Sequence, residues 1–317
     1  MTRVLAVMGI VCLLSTGAMA QYFGRLLGQP WSDDDRATTY DHPMIEDGGH
    51  VNNDSSDTSV FAWDSFGRVR LNRQDQDSPI VGYRILTIGL GTETPAFKAS
   101  MDEFDLTYGM YLGQIDGWKI GTMLGLGYSS THPFVNTSGI FGIGHVTAEK
   151  AIDANDSFLL AVDYEANGAL LPDVPLPGFA FVHRDEHLNF LVGYPLSYVA
   201  WTPTPKWEMT AVYQVPYSCD VDGEYHVTKH FGFYSDAGNF FQGIVRSDGD
   251  ITNRQFFQMS RVEAGVRFTF DPWIDSTIGI GYGFDQTISS GFDIRDMHGV
   301  SHLSNEPYLS FIVRGRF

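Results

Sequence analysis

Apolar and polar residues alternate along most of the chain after about residue 80, as the two-residue period of a β-strand requires. The clearest example is 261–270, where one face is apolar and the other carries Arg261, Glu263 and Arg267. Comparable segments are predicted at 81–90, 104–112, 119–128, 140–148, 156–166, 187–200, 207–216, 224–234, 238–247, 277–284 and 309–317. The pattern predicts an all-β chain of about twelve antiparallel strands, with ten to fourteen as the range.

The alternation alone fits either a soluble sandwich or a transmembrane β-barrel, because both expose one face of each strand. Two features favour the barrel. The less apolar face is rich in glycine and in charges of both signs, which suits a crowded polar interior. Aromatic residues lie near strand ends, where the interfacial girdles of a barrel would place them. These residues are Trp118, Tyr128, Tyr198, Trp207, Phe270 and Trp273.

The last segment places apolar residues on one face and ends on a phenylalanine. This arrangement is similar to the assembly signal of outer-membrane proteins, and it implies the barrel-assembly machinery and outer-membrane lipid as partners. The apolar face is formed by Leu309, Phe311, Val313 and Phe317. The opposite faces of this segment and of 261–270 are expected to line the lumen with Arg261, Glu263, Arg267, Arg314 and Arg316.

The lengths of the predicted connections alternate, as expected when short periplasmic turns face longer external loops. Asp116-Gly117 is a strong hairpin signal. The other predicted periplasmic turns are 202–205, Ser235-Asp236-Ala237 and Asp271-Pro272-Trp273, and the predicted external loops are 91–102, 129–139, 167–186 and 285–305. Both chain termini then lie on the periplasmic side.

The N-terminus has the organisation of a cleaved signal peptide. A short positive region, Thr2-Arg3, precedes the apolar run 4–14 and a small-residue exit that ends at Ala20. We expect export to the bacterial outer membrane with cleavage before Gln21. Residues 21–75 are predicted as an acidic polar extension that contains at most one strand or a lumen plug, and 76–317 as the barrel.

Charge and cysteine content restrict the possible partners. The chain has 38 acidic and 20 basic residues and a formal net charge of -18, which argues against nucleic acid. After removal of the signal peptide only Cys219 remains, so an intramolecular disulfide is excluded. No cofactor and no metal are predicted.

Residues 187–317 resemble an uncharacterised group of bacterial outer-membrane barrels, porin-like in architecture and described as domains of unknown function. The shared motifs are Gly193-Tyr194-Pro195, Trp201-Thr202-Pro203, Trp207-Glu208-Met209, Pro216, 261–265 and the closing Phe317. These motifs are architectural. The resemblance therefore implies fold and location, and it carries over no substrate and no active residue.

Three groups of residues offer candidate chemistry. His183 to His187 fits the H-x-x-E-H pattern of one group of zinc proteases, but its flanks read as strands, whereas that chemistry needs a helix. His302 and Ser304 would share a strand face and could form a base and a nucleophile, as in outer-membrane phospholipases. His226 and His230 share a face as well, but their Cα atoms would lie about 13 Å apart on a strand.

The strand count favours a passive pore or a small-solute binding barrel, because barrels of more than eight strands begin to leave interior space. A lipid esterase that uses His302 and Ser304, and a soluble exported β protein, remain as alternatives. The leading interpretation predicts no enzymatic activity. The permeant and the ion selectivity stay open.

Overall fold

The computed structural model of the chain describes residues 37–316, apart from 52–56, 73, 76, 92–97, 99, 133, 135–136, 215–217, 247–251 and 272. The predicted signal peptide, residues 21–36 of the predicted extension, Pro272 and Phe317 lie outside the described residues. So does the side chain of Arg316. No helix in the described part of the chain is long and apolar enough to cross a membrane.

Seventeen strands account for nearly all of the described structure. They are β1 (Ala37–His50), β2 (Asp57–Arg70), β3 (Ile80–Leu90), β4 (Ser100–Ile115), β5 (Trp118–Ser130), β6 (Ile140–Ala151), β7 (Asp156–Glu165), β8 (Leu176–Arg184), β9 (Leu188–Tyr194), β10 (Leu196–Thr204), β11 (Trp207–Gln214), β12 (Ser218–Thr228), β13 (Phe231–Ile244), β14 (Arg254–Asp271), β15 (Ile274–Gly291), β16 (His298–His302) and β17 (Glu306–Arg316).

Sixteen of these strands close into an antiparallel barrel. Each strand pairs with its neighbours in sequence, and the ring closes because β1 pairs with both β2 and β17. β15 pairs with β17 along one half of its length and with the short β16 near its other end. We call the barrel end where β1 begins and β17 finishes the terminal end, and the opposite end the loop end.

The predicted count of about twelve strands is wrong, and the four extra strands have identifiable causes. β1 and β2 lie within residues 21–75, where the apolar positions keep no steady phase. β8 lies inside the predicted external loop 167–186. The predicted strand 187–200 is divided into β9 and β10 at Pro195, which follows a cis peptide bond. β8, β9 and β10 have only seven to nine residues each, which is too short to show a sustained alternation of apolar and polar residues.

One of the predicted turns is present in the structure and another is not. Asp116 and Gly117 form the turn between β4 and β5, and both adopt positive φ angles, 49° and 82°, which Gly117 tolerates without steric cost. The turn predicted at Ser235-Asp236-Ala237 is wrong, because these residues lie within β13. Their polarity is explained by an interior ion pair, since Asp236 bonds Arg261 on the adjacent strand. The actual turn between β12 and β13 is at 229–230.

The outward face of the barrel is apolar and exposed. Large aliphatic side chains on neighbouring strands are more than half accessible, among them Leu106, Leu124, Leu126, Ile280 and Leu309. Interior residues between them are buried, for example Thr107 and Met123. This inversion of a soluble protein, with an apolar exterior and charges inside, is what contact with lipid requires.

Substitution of an outward leucine by arginine tests this reading. Leu124 lies at the middle of β5 and is 61% exposed. We expect Leu124→Arg to lower the free energy of unfolding in lipid vesicles by about 2–4 kcal/mol, because the charge must enter the hydrocarbon layer. Leu124→Ala is the control, and urea titration followed by tryptophan fluorescence is the measurement. Equal stability of the two variants would mean that this face meets water.

Candidate functional site

Opposite walls of the barrel meet at the loop end. β5 and β13 lie on opposite sides of the ring, yet Thr131 N donates to Val245 O at 3.0 Å and Val245 N donates to Ser129 Oγ at 3.3 Å. These contacts divide the interior in two. We call the interior faces of β13–β15, β17 and β1–β4 the packed half, and the interior faces of β6–β11 the open half.

The packed half is filled by a hydrophobic core. Its side chains interdigitate between strands that are far apart in sequence, and Leu86, Ile88 and Phe257 are fully buried. Other members are Met44, Val60, Ala62, Met101, Phe240, Ile244, Met259, Ile288 and Tyr308. Glycines on β15 make room for the rings, since a Cβ on Gly281 would lie 2.1 Å from Tyr308 Cζ. Water-filled passage through this half is excluded in this conformation.

A buried polar network joins the two walls beside this core. Arg84 on β3 is 1% exposed, and its guanidinium bonds Asp64 at 3.1 Å and Glu103 at 3.2 Å. Gln242 on β13 donates from Nε2 to Glu103 Oε2 at 3.0 Å, across the barrel. A charge buried in this way needs these partners, because removal of one partner leaves the others unpaired in a low dielectric.

The connection between β7 and β8, residues 166–175, folds inward and is here called the cover loop. Asn167 is 3% exposed and donates from Nδ2 to Glu103 Oε2 at 2.7 Å. Arg254, at the start of β14, donates to Asn167 O at 2.8 Å, Asn167 Oδ1 at 3.1 Å and Gly168 O at 2.9 Å. β7 and β14 are seven strands apart in the ring, so the cover loop crosses the interior at the loop end.

The open half contains a cavity of about 130 Å³. Its lining combines apolar side chains with basic and acidic side chains that contact each other. His145 Nδ1 lies 3.1 Å from Asp163 Oδ1, and Arg184 Nη1 lies 2.6 Å from Glu149 Oε1. The apolar side chains are those of Leu159, Ala161, Leu176, Ala180, Leu191 and Leu196.

Solvent reaches the charged side chains of the open half, since Glu149, Asp163 and Arg184 are 28%, 33% and 40% exposed. The His145 side chain is 11% exposed, whereas the Arg184 side chain, near the turn at the end of β8, is 40% exposed. The corresponding interior side chains of the packed half, such as Arg84 and Glu103, are 1% exposed. The open half is therefore reached by solvent, whereas at the loop end Glu165 and the cover-loop residue Asn167 are buried.

Four of the five residues expected to line the lumen lie on the interior side of their strands. Arg261 bonds Asp236 and Asp220, and Glu263 accepts a hydrogen bond from Tyr234. Arg267 pairs with Asp275, and both Arg267 and Arg314 contact Glu224. These residues form ion-pair networks near the terminal end rather than a row of free charges.

The residues of the two catalytic hypotheses have structural contacts. His183 lies at the end of β8, with Nδ1 2.6 Å from Asp156 and Nε2 3.1 Å from Asp185. The segment that follows it is a turn and a strand, so the helix required by the H-x-x-E-H reading is not formed. Ser304 lies beyond the end of β16, and its Oγ accepts a hydrogen bond from His50 N at 2.7 Å.

Sequence reasoning missed the polar residues that hold the cover loop. Arg84, Glu103 and Arg254 each occupy an interior position of a strand that the sequence either left irregular or began too late. The sequence showed each of them only as one charged residue on the less apolar face of its strand. Such a residue does not indicate which side chain it contacts seven strands away. By contrast, Leu309, Phe311 and Val313 lie on the outward face, where Leu309 is 62% exposed.

No family model and no curated protein matches the chain. Its similarity to the uncharacterised group of barrels therefore stays a resemblance. Solved structures similar to the chain include outer-membrane barrels. The toluene transporter TodX of Pseudomonas putida is 10% identical over 95% of both chains, with a TM-score of 0.41.

Two further structures give comparable values. A FadL homologue of Pseudomonas aeruginosa is 11% identical, covers 89% of each chain and has a TM-score of 0.39. The outer membrane protein Omp33 of Acinetobacter baumannii is 9% identical over 89% of this chain and 98% of that one, with a TM-score of 0.35. The chain is thus similar to porin-like outer-membrane barrels, and similarity at this level carries no residue role over to it.

Proposed function

We propose that the protein is a transport barrel of the bacterial outer membrane, in which small solutes pass through the open half. The observation that carries the proposal is the unequal filling of the interior. A barrel with a purely structural role has no need of a solvent-reached cavity beside a fully packed core. The sequence alone suggested a passive pore, and we now propose a pore that the cover loop closes at one end.

The apolar exterior and the lengths of the connections support the location. Connections at the terminal end have two to nine residues, and several at the loop end have nine or more. In bacterial outer-membrane barrels the short turns face the periplasm and the longer loops face outward. The terminal end is accordingly assigned to the periplasm, so the cover loop lies on the external side. Export through a cleaved signal peptide is part of the same proposal.

The lining of the open half suits small solutes that carry both apolar and hydrogen-bonding groups. The leucines Leu159, Leu176 and Leu191 offer nonpolar contacts, while the His145–Asp163 and Glu149–Arg184 pairs offer polar atoms. Each basic side chain here is matched by a carboxylate, and Glu165 adds a further carboxylate to the lining. The acid-rich wall near the terminal end would favour cations.

Narrowing the open half tests the proposal. Ala161 lies on the interior face of β7 and lines the cavity, so Ala161→Trp fills it. We expect this substitution to reduce the permeation of small sugars and amino acids in a liposome-swelling assay to the background of empty liposomes. The reason is that an indole occupies most of a space of about 130 Å³.

Ala148→Trp is the matched control, because Ala148 lies on the adjacent strand β6 and faces outward beside Leu160, which is 42% exposed. We expect its permeation to equal that of the unmutated protein. Permeation that is unchanged in Ala161→Trp would place the path elsewhere in the barrel and contradict the proposal.

A further inference from the structure

Three metal-ligating side chains converge at the terminal end of the barrel, on the interior faces of β11 and β12. Glu208 on β11 and Glu224 on β12 are directly paired across the two strands, and His226 lies two residues along the same interior face. His226 Nε2 is 3.9 Å from Glu208 Oε2 and 4.0 Å from Glu224 Oε2. All three ligand atoms lie within 4.8 Å of one another.

These separations are close to those of a metal site. Ligand atoms about 2.1 Å from a tetrahedral ion lie about 3.4 Å apart, so small side-chain rotations bring the three atoms into place. The Glu208 side chain is 42% exposed and the His226 side chain 28% exposed, which gives an ion a route from solvent. Only Glu224, 3% exposed, is held inside the wall.

Both carboxylate oxygens of Glu224 are contacted by arginines, Oε2 by Arg267 and Oε1 by Arg314. Partners of this kind fix the geometry of a ligand, although their positive charge also weakens its attraction for a cation. The surrounding wall more than restores the negative charge, because seven interior carboxylates of the described residues on β11–β15 outnumber the three arginines that pair with some of them, two on β14 and one on β17. The acids are Glu208, Asp220, Asp222, Glu224, Asp236, Glu263 and Asp275, and the arginines are Arg261, Arg267 and Arg314.

We propose that Glu208, Glu224 and His226 bind a divalent transition-metal ion at the terminal-end mouth of the barrel. One imidazole and two carboxylates suit zinc, cobalt or nickel, whereas calcium and magnesium prefer ligand sets made of oxygen alone. The sequence predicted no metal because it paired His226 with His230. The structure places His230 in the turn after β12, and the missing ligands come from the cross-strand neighbour.

Equilibrium titration with Co²⁺ tests the site on the full-length barrel in detergent. We expect one Co²⁺ per chain, detected by its visible absorption and displaced by Zn²⁺. Glu208→Gln and His226→Ala should each weaken Co²⁺ binding by at least about tenfold, since even the loss of an outer partner costs that much. Heat-dependent migration on a denaturing gel shows that each variant is folded.

His187→Ala is the matched control, because His187 lies in the turn 185–187 at the same end of the barrel. We expect this variant to bind Co²⁺ like the unmutated protein. The proposal is overturned if the unmutated barrel binds no more Co²⁺ than His226→Ala. It is also overturned if Ca²⁺ displaces Co²⁺ at equal concentration, because the site would then be an oxygen site. Binding is measured without transport, so these outcomes are independent of the proposed function.

Discussion

Arg254→Ala is expected to raise the ratio of open to closed channels by about a hundredfold. Arg254 is 2% exposed and holds the cover loop through Asn167 and Gly168, while its Nε donates to Phe292 O at 2.9 Å. Hydrogen bonds from a charged group contribute about 1.5–3 kcal/mol each. A net loss of about 3 kcal/mol from the closed state corresponds to the hundredfold change.

Single-channel recording in planar bilayers measures this ratio directly. His298→Ala is the matched control, because His298 lies at the same end of the barrel and its side chain contacts Asp296 O within its own loop. We expect the control to open as rarely as the unmutated protein. The double variant Arg254→Ala with Ala161→Trp should lose conductance again. If Arg254→Ala conducts no more than the control, the cover loop does not close the path.

Arg84→Met is expected to destabilise the barrel by about 3–5 kcal/mol, the usual cost of breaking a buried ion pair. The substitution leaves Asp64 and Glu103 without their guanidinium, and the Glu103 side chain is 1% exposed. Urea unfolding from lipid vesicles measures the change. Neutralising the three buried acids beside it as well, with Asp64→Asn, Glu103→Gln and Asp105→Asn, should recover most of the loss, because the carboxylates nearest to position 84 are then uncharged.

Lys119→Met provides the comparison for a surface pair. Lys119 contacts Asp77 next to the turn between β4 and β5, and the two side chains are 51% and 45% exposed. Pairs of this kind contribute about 0–1 kcal/mol, because solvent screens them. A loss in Arg84→Met no larger than the loss in Lys119→Met would mean that the network across the barrel does not stabilise the closed conformation.

The all-β class, the membrane-type alternation and the interior position of Arg261, Glu263, Arg267 and Arg314 could be predicted from the sequence, since each depends on the two-residue period within one strand. The strand count was not predictable to the same degree. β1 and β2 were mistaken for an extension because Asp41 and Asp47 lie on the outward face, while Met44, Val60 and Ala62 face the interior, so apolar and polar positions do not alternate.

The candidate site was less accessible to sequence reasoning for a different physical reason. The sequence of one strand shows which of its residues share a face. It does not show which strands contact each other across the lumen, because that depends on the cross-sectional shape of the whole barrel. Nothing near Thr131 or Val245 in the sequence indicates that their backbones bond each other. Likewise, Glu208 pairs with Glu224 because of the register of β11 and β12. A turn that is predicted a few residues from its true position gives a different register, so the sequence does not reveal this pair.

The strands differ in length around the ring, so the barrel wall is taller on one side than on the other. β14 and β15 have 18 residues each, whereas β9 has seven and β11 has eight. At about 3.3 Å per residue, β9 is about 23 Å long before tilt, less than the hydrocarbon layer is thick. The acyl chains of the lipids beside β9 must compress or tilt to match the shorter wall. The barrel therefore thins the membrane on one flank, and this hydrophobic mismatch favours association of neighbouring molecules through that flank.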